Sequence, residues 1–363
     1  MKRRGIINRK KYMETRKSET SGRSRRIIFK RREAGGAVQS TATFAIFALV
    51  IGQIFWGGSY LLSDFALEVF PPAMLVAMRM LIAATILGLI GVSTGAIKPI
   101  DKKDIKYFFF AAFMEPFVYF LCEAQALERV SPTIASVMLS FIPLLTPVFA
   151  FIAIREKVTF MNVLGIVISV AGVLMIIVKP GGELSADYLG ILLLFTAVVA
   201  SISYTLILRK IPEKYNALTI VFYMFLVSLL YFIPTCIIKE WPRVTAIDFS
   251  AERTHQALVA VVGLALTASC IAFLFFSFGV RVLGATRANV FNNIQPGVTA
   301  LLSWFILDEK LRGVQIWGIV IVVVGMFISQ ASLTAIVSRI KAIRGKSEDA
   351  VPAEEQNVLQ DKD

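Results

Sequence analysis

The chain has 363 residues, 56% of them hydrophobic and only 17% charged, with a mean hydropathy of +0.71. So few charges cannot clothe a soluble domain of this size, and they cluster, leaving apolar runs near the roughly 20 residues that cross a bilayer core. The net charge of +13 does not by itself call for nucleic acid, because 14 of the 38 basic residues precede position 41, ahead of the first apolar run.

Residues 1–40 read as a disordered basic tail that fixes topology and meets anionic lipid head groups, with no nucleic-acid partner expected. Ten apolar runs follow, at 42–63, 73–95, 107–127, 132–154, 161–178, 188–208, 217–238, 257–280, 286–307 and 314–334. Each is expected to be a helix, which satisfies its own backbone hydrogen bonds in lipid. The alternating segments of about 10 residues that a membrane β-barrel needs are not in the sequence. A polar, aperiodic stretch, 346–363, ends the chain and reads as a second disordered tail.

With the N-terminus in the cytoplasm, the inner side collects 30 Lys and Arg and the outer side 7, while Arg79 falls inside a span. Without the tails the division is 11 to 7, so the tails carry the orientation. Both termini are predicted to be cytoplasmic, in a plasma (inner) membrane.

Taken in chain order, the first span places Gln53, Trp56 and Tyr60 on one face, where the ring systems either stack on a substrate or anchor at an interface. Arg79 in the second span has four readings: it binds an anionic group, pairs with Glu115, snorkels outward or braces a helix contact. Glu115 lies mid-span in the third run, where a carboxylate costs at least a few kcal/mol unless satisfied or protonated. It is the foremost candidate for proton coupling or cation binding. Pro116 beside it frees a backbone carbonyl near Ala112. Tyr119, Cys122 and Glu123 share its face, with Glu123 nearer the outer end and expected to be solvated.

The fourth and ninth spans each carry a polar stripe: Ser136, Ser140 and Pro143 in one, Asn289, Asn293 and Pro296 in the other. Asn292 and Gln295 add groups that both donate and accept, suited to neutral or zwitterionic ligands. The competing reading is hydrogen-bonded glue between helices. Ser203 and Tyr204 in the sixth span are weaker candidates for the same cavity. Cys122, Cys236 and Cys270 all fall inside spans, and His255 is the single histidine, so neither a metal site nor a catalytic triad is expected. No phosphate-cradling GxxxxGK[ST] loop occurs, and no cofactor is expected.

One segment is written twice. Residues 131–176 and 284–329 align without a gap at an offset of 153, with 13 identical pairs in 46. The register pairs Pro143 with Pro296, Thr146 with Thr299, Glu156-Lys157 with Glu309-Lys310, Gly165 with Gly318 and Gly172 with Gly325. The front of each half repeats more weakly at 144, matching Ser59-Tyr60 with Ser203-Tyr204. Two copies of five spans enter a membrane with opposite orientation, as inverted repeats joined here by Lys179-Pro180-Gly181-Gly182-Glu183. The fold class expected is an all-α polytopic membrane protein, ten transmembrane helices in two inverted halves, 41–178 and 188–334.

The pattern Phe55-Trp56-Gly57-Gly58-Ser59, then Pro71-Pro72 and Arg79, together with the twice-written Pro–Glu-Lys–Gly–Gly signature, resembles the EamA family of the drug/metabolite transporter superfamily. The resemblance covers about 42–334. It implies a central cavity with alternating access, and small metabolites, amino acids among them, as cargo. The expected function is therefore secondary transport, with export favoured on the resemblance alone. A sugar-phosphate or nucleotide-sugar exchanger would need more basic groups in the cavity than Arg79. A lipid-modifying enzyme would have only Glu115 and Glu123 as a pair of acids. Monomer and homodimer both remain open.

Overall fold

The computed structural model describes residues 41, 43–155, 158–177, 187–208, 210–212, 214–283 and 291–330, and there is no strand among them. In chain order the helices are α1 (Thr43–Leu67), α2 (Pro72–Ser93), α3 (Ile105–Leu127), α4 (Pro132–Phe149), α5 (Phe160–Ile177), α6 (Tyr188–Leu208), α7 (Ala217–Thr245), α8 (Glu252–Phe276), α9 (Gln295–Ile306) and α10 (Gly313–Gln330). Seven of them, α1–α4 and α6–α8, are long and apolar enough to cross a membrane. The apolar helices α5 and α10 are shorter, and a single 3-10 turn, Phe291–Ile294, leads into α9. Against ten expected crossings, the described residues thus show seven of spanning length. The expectations on both tails, on Glu156-Lys157, on the 179–183 loop and on Asn289 fall outside the described residues.

Local chemistry sets the helix starts. Pro72 occupies the first turn of α2, where a missing N–H costs nothing. Ser131 caps α4 ahead of Pro132, and Asn216 caps α7, its side chain accepting from Thr219 N–H at 2.7 Å. Wide π turns interrupt three helices: Phe113–Val118 in α3, Cys236–Glu240 in α7 and Ala265–Ile271 in α8. In α3 the break is sharp. Glu115 leaves helical geometry altogether, at φ −144° and ψ 119°, just before Pro116. The departure lies at Glu115 because proline disfavours helical backbone in the residue before it.

Polar contacts sort to the two ends of the bundle. At one end Lys214 bridges Asp101 and Asp104, and the Tyr215 hydroxyl donates to Asp104 at 2.9 Å. The Lys214 ammonium beside it holds the Asp104 carboxyl below the usual carboxylate range. At the other end Arg243 pairs with Glu128 at 2.8 Å, Arg253 with Glu68, and the Thr133 hydroxyl donates to Glu309 at 2.8 Å. Buried Glu240 accepts from the N–H groups of Ala73 and Met74 at 3.0 and 3.1 Å, capping α2 from the end of α7. This grouping of loops is the one that an alternating passage through a membrane requires.

The closest helix contact joins α5 to α10. A Cβ placed on Gly165 would lie 2.4 Å from the Gly325 carbonyl oxygen, and one on Gly318 would lie 2.7 Å from that of Gly172. The two helices run antiparallel with their backbones in touch, which small residues permit in lipid. Three cross-links fasten them: Asn162 Nδ2 donates to Ser329 O at 2.7 Å, Gln315 Nε2 to Ile176 O at 3.3 Å, and Ser169 Oγ to Val322 O at 3.2 Å. Gly325→Ala, which must push Ser169 and Gly165 apart, is expected to destabilise the purified protein by about 1–3 kcal/mol. Gly297→Ala, where a Cβ meets nothing, is expected to leave the melting temperature unchanged. Melting both in one detergent checks the pair.

Candidate functional site

The break in α3 builds the first part of the site. With Glu115 out of helical geometry, its carboxylate reaches α6, where the Ser201 hydroxyl donates to Oε2 at 2.7 Å. Glu115, Pro116, Phe120, Tyr204, Met224, Phe225 and Phe273 enclose a pocket between α3, α6, α7 and α8. As it stands, the pocket has room for about one water molecule.

A second polar cluster lies behind Phe120. Arg79, 3% exposed, donates from Nε to Ser269 Oγ at 2.7 Å, and its guanidinium carbon sits 4.5 Å from the centre of the Phe120 ring. Glu123, 4% exposed, lies in the field of Arg79 and is hydrogen-bonded by Tyr119, which in turn meets Tyr60. Glu123 Oε2 has no hydrogen-bond partner. Two sequence expectations are corrected here. Glu123 is buried and not solvated, and the acid beside Arg79 is Glu123 and not Glu115. Beyond the break, α3 lies against α2, so its face carries Glu123 into the interior instead of toward the loop.

The third cluster joins α1 to α9. The Gln295 amide donates to Gln53 Oε1 at 2.6 Å, and the Gln53 amide donates to Asn292 Oδ1 at 2.9 Å, with Gln53 fully buried. One turn along, the Trp56 indole donates to the Ala268 carbonyl at 2.9 Å, inside the π turn of α8. Ser269, the next residue of that turn, is the one that holds Arg79. The Trp56 ring packs edge-on against Phe273 at 5.3 Å, and Phe273 meets Phe225 at 5.8 Å. Phe273 is therefore the wall between Trp56 and the Glu115 pocket, as Phe120 is the wall between that pocket and Arg79.

Of the expected residues, Glu115 and Tyr204 meet at the pocket, Arg79, Glu123 and Tyr119 behind it, and Gln53, Trp56, Asn292 and Gln295 beside it. Asn293 is buried. Ser140 belongs to none of these groups, since its hydroxyl donates to Val137 O in its own helix, as Ser136 does to Thr133 O. Sequence reasoning missed Ser201, Ser269, Phe120, Phe225 and Phe273. None carries a signal of its own among so many serines and phenylalanines in apolar runs.

This arrangement sits on a sequence whose residues 43–178 and 188–330 each match the model of the EamA-like transporter family. The chain belongs to that family. It is 24% identical over 339 residues to the uncharacterized transporter YetK of Bacillus subtilis (strain 168), spanning 92% of this chain and 98% of the relative. It is 26% identical over 301 residues to YcxC of the same organism, an uncharacterized transporter, over 82% of this chain and 96% of the relative. A relative in Chlamydia trachomatis serovar L2, an S-adenosylmethionine/S-adenosylhomocysteine transporter, is 24% identical across 73% of this chain and 83% of its own length. A crystal structure 18% identical to the chain superposes with a TM-score of 0.58 over 83% of this chain and 99% of the other, which shows a shared fold. The EamA protein described here is an integral, multi-pass membrane transporter.

Arg79 and Glu123 make a quantitative test. Removing one member of a buried charge pair strands the other, at about 3–5 kcal/mol, whereas replacing both with apolar side chains of similar volume is often neutral. Arg79→Met alone is expected to lower stability by that amount. Adding Glu123→Met is expected to restore most of it, as read by chemical unfolding in detergent.

Proposed function

We propose that this transporter moves a small, amino-acid-like organic solute by alternating access between two inverted five-helix halves. The halves are 41–178 and 188–334, ten transmembrane helices in all, in the plasma membrane with both termini cytoplasmic. The contacts between α5 and α10 support the inversion. Under the 153-residue offset Asn162 becomes Gln315 and Ile176 becomes Ser329, so each amide-to-carbonyl bond turns into the other. Likewise the contact of Gly165 with Gly325 becomes that of Gly318 with Gly172. Such an exchange is what a two-fold axis in the membrane plane produces. Two of the three π turns fall in α3 and α8, the third helix of each half, in keeping with the same relation, while the one in α7 has no counterpart in α2.

The observation that carries the function is the placement of polar groups from both halves around one closed pocket. Glu115 of the first half and Tyr204 of the second line it, Ser201 donates to the Glu115 carboxylate, and Trp56 and Arg79 lie one aromatic ring away. A site held shut by side chains between two halves opens to either surface as the halves rock. Glu115, at the helix break and with a hydroxyl as partner, is the coupling group. Export is the direction we favour. Arg79 is already engaged by Ser269 and by the Phe120 ring, which weighs against a phosphorylated sugar as cargo.

Reconstituted in liposomes, the protein is expected to move at least one solute from a panel of amino acids, S-adenosylmethionine, S-adenosylhomocysteine and cationic drugs. The chlamydial relative's name puts the two adenosyl compounds in that panel. Accumulation is expected to rise with an imposed pH gradient. Glu115→Gln should lose the gradient dependence and keep solute-for-solute exchange. Gradient dependence that survives the substitution would assign Glu115 a structural role, and a folded protein that moves nothing saturably would end the transport reading for this pocket.

A further inference from the structure

Charge inside the helices does not balance. Arg79 and Glu123 are both buried and lie in each other's field. That leaves Glu115, whose hydrogen-bond partner is the neutral hydroxyl of Ser201. Among the described residues no Lys, Arg or His stands within ion-pair range of it. A carboxylate in such a place needs a positive charge or a proton from elsewhere.

The pocket's walls say which positive charge. Beyond Glu115 they are Phe120, Phe225, Phe273, Met224 and Tyr204, with the tyrosine hydroxyl as the one polar addition. A metal ion wants several oxygen ligands. One carboxylate and one hydroxyl are too few, and the described residues hold no cluster of three acids, cysteines or histidines. An onium or ammonium centre on an apolar body asks for something else: one anion, and aromatic faces to lie against. An anionic group would meet the Glu115 carboxylate and a single tyrosine hydroxyl, since Arg79 is screened by the Phe120 ring on which it rests and is held by Ser269.

We infer that the Glu115 pocket is a binding site for organic cations, in which the carboxylate neutralises an ammonium or sulfonium centre and the phenylalanine walls enclose its apolar substituents. This deepens the transport reading and rests on it for the opening that admits the ligand. The closed pocket holds about one water, so binding requires Phe120, Phe225 and Phe273 to part. The π turns on α3 and α8 end two residues before Phe120 and Phe273, and such turns mark places where a helix departs from regular packing.

The test is binding to purified protein in detergent, which does not depend on transport. The probes are para-hydroxyphenyl-trimethylammonium and its uncharged isostere para-tert-butylphenol, measured by calorimetry. Wild type is expected to bind the cation on the order of tenfold more tightly than the isostere, the scale of a desolvated cation–aromatic contact. Glu115→Gln should erase the difference, Glu115→Asp should retain it at lower affinity, and Phe225→Leu should weaken the cation more than the isostere. Melting temperature and elution profile confirm that each variant is folded. Equal binding of the two probes, binding of neither, or a preference that survives Glu115→Gln would overturn the inference. Solute transport without any cation preference would overturn it while sparing the transport reading; cation binding without transport would do the reverse.

Discussion

In hydrocarbon, a helix cannot interrupt its hydrogen bonds unless another part of the protein answers for the groups it frees. The interior of this transporter is organised around such answers. Where α3 breaks at Glu115, Ser201 of α6 comes to meet the displaced carboxylate. Where α8 widens into a π turn, Trp56 of α1 donates to the Ala268 carbonyl and Arg79 of α2 reaches Ser269. Both of these irregularities are met by a side chain from another helix. The polar groups sit where they do because the backbone departs from a regular helix there, and a regular helix would present apolar side chains to its neighbours at those points.

Aromatic rings then separate what the breaks bring close. Phe120 stands between Glu115 and Arg79, and Phe273 between Glu115 and Trp56. Without them the buried charges would collapse into one network, and a closed salt bridge inside a transporter is a poor receptor for anything else. Kept apart, Arg79 is held by Ser269 and rests on the Phe120 ring, with Glu123 in its field, while Glu115 remains available. The same rings line the pocket, and beside such apolar walls a single carboxylate discriminates between charged and neutral ligands more sharply than in water.

Much of the scaffold was legible in the sequence because its signals are local. Pro71-Pro72, Ser131-Pro132 and Asn216 mark helix starts through the chemistry of single turns. Both family matches end within a few residues of the halves read from the repeat. The breaks were half legible: Pro116 announces the one in α3, but Ala265–Ile271 contains neither proline nor glycine, and nothing local marks its wide turn. The partner of Arg79 was not legible at all. Glu115 and Glu123 lie eight residues apart on one expected helix face, and periodicity gives them equal claim. The break between them decides, by sending one toward α6 and the other into the core.

The amide pair shows what the repeat encodes beyond resemblance. Asn162 and Gln315 are not identical residues, and identity counting passes over them. Yet each ends its side chain in the same donor, one on α5 and the other on α10, and each donates to the carbonyl at the far end of the helix it faces. Between them lie the glycines that bring the two backbones into contact, and these are identical in the two copies because at 2.4–2.8 Å no side chain fits. Steric exclusion preserves a residue's identity, whereas a hydrogen bond preserves only its donor. An antiparallel pair built from two copies of one segment has to satisfy both conditions at both ends, so a residue changed in one copy is answered in the other by its chemistry and not by its name.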